Sequence, residues 1–247
     1  MPDQIKKTAA IVLAAGKGVR MKSDLPKVLH ELNGRPMIQY LAETLEDLGL
    51  AKAVIVVGYK RHLVEEALAD YDFDFAVQEK QLGTGHAVMM AEEALSNFDG
   101  DVLVLAGDVP FIRKETIKNL LDLHNKKNAV ATVLTSEPPD PSGYGRVIRD
   151  SQDLVEKIVE HKDCSKEELQ IGEINTGTFV FRKRELFENL KHIDNRNVQG
   201  EYYLTDLMEI FLRQGKRTAA FKTDDYREAL GINSREQLEE LAKAYNL

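Results

Sequence analysis

Residues 8–22 read Thr-Ala-Ala-Ile-Val-Leu-Ala-Ala-Gly-Lys-Gly-Val-Arg-Met-Lys. Ala9–Ala15 is the longest apolar run of the chain. It is far short of the ~20 apolar residues that a membrane-spanning helix needs. Lys6 and Lys7 before it imitate the start of a signal peptide, but Lys17, Arg20 and Lys22 follow it at once. An unbroken apolar run of this length, closed by glycine, predicts a strand buried on both faces, as in a parallel sheet.

The pattern outward from this strand alternates. A helix is predicted over 36–48, with Pro36 in its first turn and Gly49 just past its end. Strands follow at 53–58, 74–78 and 101–107, with helices at 60–69, 84–96 and 114–125 between and after them. Thr84 is placed to cap the helix it opens. Short apolar strands separated by helices mean βαβ units and a mostly parallel sheet with helices on both faces. Further on, 130–136 reads as a strand, and 137–145 as turns. Residues 146–160 and 174–182 read as strands of an extra β layer, with helices at 183–190, 204–214 and 234–245. The chain is expected to be one α/β domain over 1–247, a Rossmann-like mixed sheet flanked by helices with inserted β structure.

Composition narrows the functions. The 247 residues carry 33 Lys and Arg against 41 Asp and Glu, a formal net charge of −8. Such an acidic balance argues against non-specific binding to nucleic acid or to an anionic membrane. Residues 1–30 nevertheless hold six bases and two acids, a net of +4, so the other 217 residues carry −12. One cysteine, Cys164, excludes an intramolecular disulfide and a Cys-rich zinc site, and fits a reducing cytoplasm.

The loop after the first strand is where that basic excess lies. Backbone N–H groups of a glycine-rich βα loop can wrap phosphates. The dinucleotide fingerprint fails, because Met21 stands where its third glycine belongs. The P-loop fails too, because Met21 precedes Lys22-Ser23. What remains is Gly16-x-Gly18-x-Arg20 followed by Pro26-Lys27, with cations at Lys17, Arg20, Lys22 and Lys27. That set suits a triphosphate; a tight βα turn with solvated bases is the other reading.

LAAGKGVRM (13–21) and DLPKVLH (24–30) resemble the N-terminal signature of sugar-1-phosphate nucleotidyltransferases. QEKQLGTGHA (78–87), AGDVP (106–110), GYGRVIR (143–149), IVEHKD (158–163), EINTG (173–177), QGEYYLTD (199–206) and LGIN (230–233) follow in order. Together they resemble the uridylyltransferase domain of the bacterial bifunctional N-acetylglucosamine-1-phosphate uridylyltransferase/glucosamine-1-phosphate acetyltransferase family. The resemblance implies the nucleotide-diphospho-sugar transferase fold. It also implies UTP and N-acetylglucosamine 1-phosphate as substrates, UDP-N-acetylglucosamine and pyrophosphate as products, and Mg²⁺ as cofactor. That chemistry needs no general base, because the second pKa of a sugar phosphate is about 6. It needs cations and positioning to bring two polyanions together.

Candidate residues follow. Arg20 and Lys27 are candidates for phosphate charge, and by resemblance Lys27 also touches the nucleotide. Asp108 lies just past an apolar strand, where open α/β sheets bind ligands, and its carboxylate suits Mg²⁺; a turn aspartate is the alternative. The resemblance makes Asn233 the second metal ligand, although Asn before Ser234 can also begin a helix. Gln78 carries a donor and an acceptor that match the uracil edge, with Gly83 and Thr84 able to approach the base by backbone; a surface Gln beside a helix cap is the alternative. By resemblance Leu13, Ala14 and Gly16 line the nucleotide site, and Gly145, Glu160, Asn175, Tyr203 and Thr205 line the sugar site. About 1–110 then forms the nucleotide half and about 111–247 the sugar half.

His62, His124, His161 and His192 lie in polar contexts without ligand spacing and read as surface; His30 and His86 receive no chemistry. Val19 replaces the Thr often seen after the second glycine, and Ala106 replaces a Tyr found in some relatives. No hexapeptide repeat is present, so acetyltransfer is not expected, and the motifs specify no oligomeric state. The alternatives are transfer to another sugar 1-phosphate or from another nucleotide, and a non-catalytic nucleotide-sugar sensor.

Overall fold

The computed structural model describes residues 2–151 and 154–245. In chain order the strands are β1 (Thr8–Ala14), the short pair β2 (Glu31–Leu32) and β3 (Arg35–Pro36), β4 (Lys52–Val57), β5 (Asp74–Val77), β6 (Asp101–Ala106), β7 (Ala131–Ser136), β8 (Arg146–Arg149), β9 (Val155–Val159), β10 (Ile174–Arg182) and β11 (Thr218–Lys222). The helices are α1 (Pro2–Ile5), α2 (Met37–Leu48), α3 (Arg61–Ala67), α4 (Thr84–Met89), α5 (Lys114–Lys126), α6 (Lys183–Leu190), α7 (Asp206–Arg213) and α8 (Arg235–Ala244).

Seven strands of the main sheet run in the order β11-β7-β10-β6-β1-β4-β5. Neighbours are parallel except at β10, which is antiparallel to both β6 and β7. The chain leaves β1 for β4 and β5, then returns to the other side of β1 as β6. The strand order therefore reverses at β1, and the loops leaving β1 and β6 border the crevice where such sheets bind ligands.

The apolar run of β1 explains its central position. Ala9 and Ile11 face a core with Ala87 and Val88 of α4, Leu186 of α6 and Phe211 of α7. Ala10, Val12 and Ala14 face the opposite core, with Leu41 of α2, Val64 of α3 and Leu120 of α5. Period-two alternation sends successive side chains to opposite layers, so a strand covered twice must be apolar throughout. Each fully buried large aliphatic side chain contributes about 1.5–3 kcal/mol. Gly49 ends α2 with φ 67°, in the left-handed region expected of a helix stop.

Five sequence expectations change. Residues 174–182 do not join an extra layer, because β10 lies inside the main sheet. Phe179 and Phe181 enter one core and Val180 the other. Only β8 and β9 are appended, as an antiparallel pair reaching the sheet through β10. The helix expected over 84–96 is α-helical only to Met89, and tighter turns follow. His124 is fully buried, not at the surface. Its Nδ1 lies 2.8 Å from the Thr132 hydroxyl, and burial with the nearby Arg182 charge pulls its pKa down to about 3. His62 and His192 are exposed as expected, while His161 is half-buried. Strand β11, read as no element in the sequence, pairs in parallel with β7 at the sheet edge.

Candidate active site

The glycine-rich loop after β1 closes onto the turn carrying Lys27. Gly18 adopts φ +68°, and a Cβ there would stand 2.5 Å from Lys27 Cβ. Only glycine fits both constraints. Gly107 does similar service after β6: its N–H donates to Leu13 O at 2.9 Å, and a Cβ would meet that oxygen at 3.0 Å. The two strand ends are thus drawn together.

Four of the expected residues meet at this point. The Lys27 ammonium pairs with the Asp108 carboxylate and donates to Asn233 Oδ1 at 2.6 Å. Arg20 Nη2 donates to the same Asn233 oxygen at 2.6 Å. Lys27 and Asp108 retain only 15% and 20% side-chain exposure, so the pair is largely shielded from solvent. Ile232 N–H donates to Asp108 O at 3.0 Å, and glycine at 231 leaves room against the Asp108 carboxylate, 3.4 Å from an added Cβ. These contacts fasten residues 231–233 to the β6 loop across more than a hundred positions of sequence. Lys17 is placed elsewhere, 5.2 Å from the centre of the Tyr59 ring.

One carboxylate oxygen and one amide oxygen already converge on a single cationic atom here. That donor set is hard and oxygen-only, which suits Mg²⁺ or a similar divalent ion. Among the described residues no group of three or more His, Cys, Asp or Glu is placed to hold a metal. An ion bound to Asp108 and Asn233 would be completed by water and substrate oxygens, as Mg²⁺ commonly is.

Beside this cluster lies a pocket of about 200 Å³. Leu13, Gly16, Gln78, Gly83 and Thr84 all line it, together with Gln81 and Glu201. A Cβ on Gly16 would meet nothing within 4 Å, so the loop backbone there is open to a ligand. Ala14 departs from expectation. Strand alternation turns its side chain into the opposite core, where it is 2% exposed. The glycine at 83 also has a different reason from the one expected. Its φ is +113°, and a Cβ would lie 2.6 Å from Tyr202 O; it is required by packing on the 201–202 backbone. Thr84 does not cap α4, since Gly83 holds the cap position and the Thr84 hydroxyl accepts from Leu204 N–H at 3.1 Å.

Gln78 is 3% exposed. Its Nε2 donates to Gly83 O at 3.1 Å and lies 2.9 Å from His86 Nδ1. The amide nitrogen is thus flanked by two protein groups, and with His86 Nδ1 as acceptor the two-bond reading of Gln78 against a base reduces to its carbonyl oxygen.

Gly145, Glu160, Asn175 and Thr205 form a second cluster. Asn175 N–H donates to Gly145 O at 2.9 Å, and a Cβ on Gly145 would be 3.5 Å from Glu160 Oε2. The Thr205 hydroxyl donates to Glu160 Oε1 at 3.2 Å. The register of β10 against β7 shifts between Asn175 and Phe179, and Asn175 Oδ1 accepts from Gly177 N–H at 2.9 Å. Such an irregularity re-aims side chains at a strand end. An added Cβ on Gly177 would be 3.6 Å from Ala106 Cβ, which sets this cluster beside the β6 end. Tyr203 is buried, and its hydroxyl donates to Asp163 Oδ2 at 3.1 Å and accepts from Gln199 at 2.9 Å. Burial, with Asp206, Asp163 and Glu201 nearby, raises the Glu160 pKa. Burial first, then Asp194, Glu209 and Asp163, pushes Asp206 up to about 6.

Gly18, Gly107, Gln81, Glu201 and His86 were given no role by sequence reasoning. All five stand in the quoted motifs, and for the two glycines the spacing beside Lys27 and Asp108 was the available signal.

The nucleotidyl transferase family profile matches residues 9–232, and the chain belongs to that family. It is 52% identical over 234 residues to the bifunctional protein GlmU of Streptococcus mutans serotype c, covering 95% of this chain and 51% of that protein. It is 53% identical over 226 residues to the bifunctional protein GlmU of Streptococcus sanguinis, covering 92% and 49%. The chain thus spans about half the length of these relatives. A crystal structure of UDP-glucose pyrophosphorylase complexed with UDP-glucose superimposes with a TM-score of 0.75 at 22% identity, covering 97% of this chain and 98% of that one. At that identity the likeness concerns the fold: a mixed, mostly parallel sheet flanked by helices.

Proposed function

We propose that the chain transfers a uridylyl group from UTP to N-acetylglucosamine 1-phosphate, with Mg²⁺ as the divalent ion. The observation that carries this reading is the convergence of Lys27, Arg20, Asp108 and Asn233 at the mouth of the β1–β6 crevice. The likeness to the GlmU proteins supports the choice of substrates. In the reaction an oxygen of the sugar phosphate bonds to the α-phosphorus. The bond from that phosphorus to the bridging oxygen breaks, and pyrophosphate leaves. Lys27 and Arg20 neutralise phosphate charge, and Asp108 and Asn233 hold the ion. When bound, that ion supplies charge neutralisation and orientation of phosphate oxygens. Leu13, Gly16, Gln78, Gly83 and Thr84 receive the nucleoside, with Ala14 contributing backbone only. Gly145, Glu160, Asn175 and Thr205 receive the sugar, with Tyr203 bracing them through Asp163. Residues 1–110 then form the nucleotide half and 111–247 the sugar half, with Asn233 reaching back to the metal. A cytoplasmic, cell-wall precursor role accompanies this chemistry. Among the described residues no helix is long and apolar enough to cross a membrane.

The test is pyrophosphate release. It should require UTP, N-acetylglucosamine 1-phosphate and Mg²⁺ together, and no release with all three present overturns the reading. A panel of nucleotides and sugar phosphates, compared by kcat/KM, identifies the preferred pair.

A further inference from the structure

His86 lies one turn into α4, behind the pocket residues, and the proposed reaction gives it nothing to do. Among the described residues its side chain makes a polar contact with Gln78, and that contact constrains what Gln78 can offer. An amide has two hydrogens on nitrogen and lone pairs on oxygen. The Gln78 nitrogen faces two groups, Gly83 O at 3.1 Å and His86 Nδ1 at 2.9 Å. A carbonyl oxygen accepts only, so one amide hydrogen points at Gly83. For the second contact to be a hydrogen bond, Nδ1 must carry no proton, which leaves the imidazole neutral with its hydrogen on Nε2. Burial lowers the His86 pKa and favours that neutral form. Turning the Gln78 amide over would set its oxygen against the Gly83 oxygen and, in that tautomer, against the Nδ1 lone pair as well. Burial of Gln78 makes such a mismatch costly, because a buried polar group left unpaired keeps its desolvation penalty.

We infer that His86 is a specificity-determining positioning residue: with the Gly83 carbonyl it locks the Gln78 amide so that only its oxygen is offered to the base. An acceptor at that place favours a base whose facing ring nitrogen carries a hydrogen. Uracil and thymine have such an N3–H, whereas cytosine presents a bare N3 lone pair there. The lock therefore selects an imide base over cytosine. This inference rests on the proposed role of Gln78 at the base, and the experiment separates the two.

The measurement is kcat/KM for UTP and for CTP in the wild type and in Gln78→Ala, His86→Leu and His86→Asn. His86→Leu removes one of two acceptors, and the UTP/CTP ratio should fall about 5- to 10-fold, the worth of one hydrogen bond. His86→Asn returns an acceptor near the position of Nδ1 and should restore most of the ratio, which a merely structural role would not do. A wild type with no preference for UTP, or a Gln78→Ala variant with the wild-type ratio, overturns the base-reading role and this inference with it. Collapse of the ratio in Gln78→Ala with no change in His86→Leu overturns this inference alone. Nitrogen-15 NMR of the wild type gives a reading independent of any variant: His86 should be the neutral Nε2–H form at neutral pH, and a protonated Nδ1 overturns the lock.

Discussion

The two clusters at the crevice are built from opposite materials. Around Lys27 a carboxylate and an amide oxygen are held by two cations, and the glycines at 18, 107 and 231 let three loops touch. Around Glu160 the charges acting on the carboxylate are other acids, Asp206, Asp163 and Glu201, and the polar groups mostly bond to one another. One side is organised to accept negative charge. The other is organised to present acceptors, which suits a ligand rich in hydroxyls. A glycine-to-side-chain change should therefore damage the first side through geometry, and a charge change should alter the second through its pH response.

Removing Asp108 should break the contrast most severely. Asp108→Ala strips the carboxylate from the cation cluster and should lower kcat by about 10³-fold, the scale of a lost electrostatic group in an active site. Steady-state kinetics at saturating Mg²⁺ checks this, and turnover within threefold of wild type refutes it. Lys27→Ala should cost about 10²-fold in kcat/KM for the nucleotide, because Arg20 remains on the same oxygen. An unchanged value would mean that Lys27 serves only to pair with Asp108.

Gly18→Ala adds a Cβ 2.5 Å from Lys27 Cβ at a backbone φ of +68°. It should lower stability by about 1–2 kcal/mol and also weaken nucleotide binding, as the loop and Lys27 separate. Denaturant unfolding with parallel nucleotide titration checks both effects. An equally stable variant that binds normally argues that the loop has room to relax.

The smallest effect tests the acid-rich side. The folded pKa of Asp206 is about 6, above its usual carboxylate value. A raised acid pKa means that folding favours the protonated form, so this contribution is full below about pH 4 and is lost as pH rises through 6. Asp206→Asn removes that loss. After discounting for solvent screening, the gain above pH 6 should be about 1 kcal/mol, or about 2–4 °C in Tm, and should vanish below pH 4. A Tm difference that ignores pH refutes the assignment.

How legible each part was follows from the range of the forces that set it. β1, β4 and β6 could be read because a strand buried on both faces is apolar at every position. The C-terminal strand ends, and with them Asp108, could be placed for the same reason. The position of β10 could not, because Phe179 and Phe181 look alike in any buried strand, and neither direction nor neighbour is written locally. β11 is five residues, TAAFK, with too little pattern to stand out. His124 misled because its sequence neighbours are polar, while α5 turns that face onto Thr132 and the sheet. Ala14 was assigned to the pocket with Leu13, and alternation along the strand separates the two. The side-chain locks, Thr84 on Leu204 and Gln78 on His86, depend on distances that no motif prints.

The 82–85 loop has one more property. Tyr202 N–H donates to Leu82 O at 2.8 Å, and Gly85 N–H donates to Tyr202 O at 2.8 Å. Two backbone bonds thus join segments about 120 residues apart, and Glu201 completes the pocket wall from the far segment. Contacts of such separation form late, because a long loop must close before they contribute. A growing chain on the ribosome would hold β1 and its basic loop long before it could hold this pocket. Acquisition of nucleotide affinity should therefore mark the end of folding, and a nucleotide present during refolding would trap only molecules whose two halves have already met.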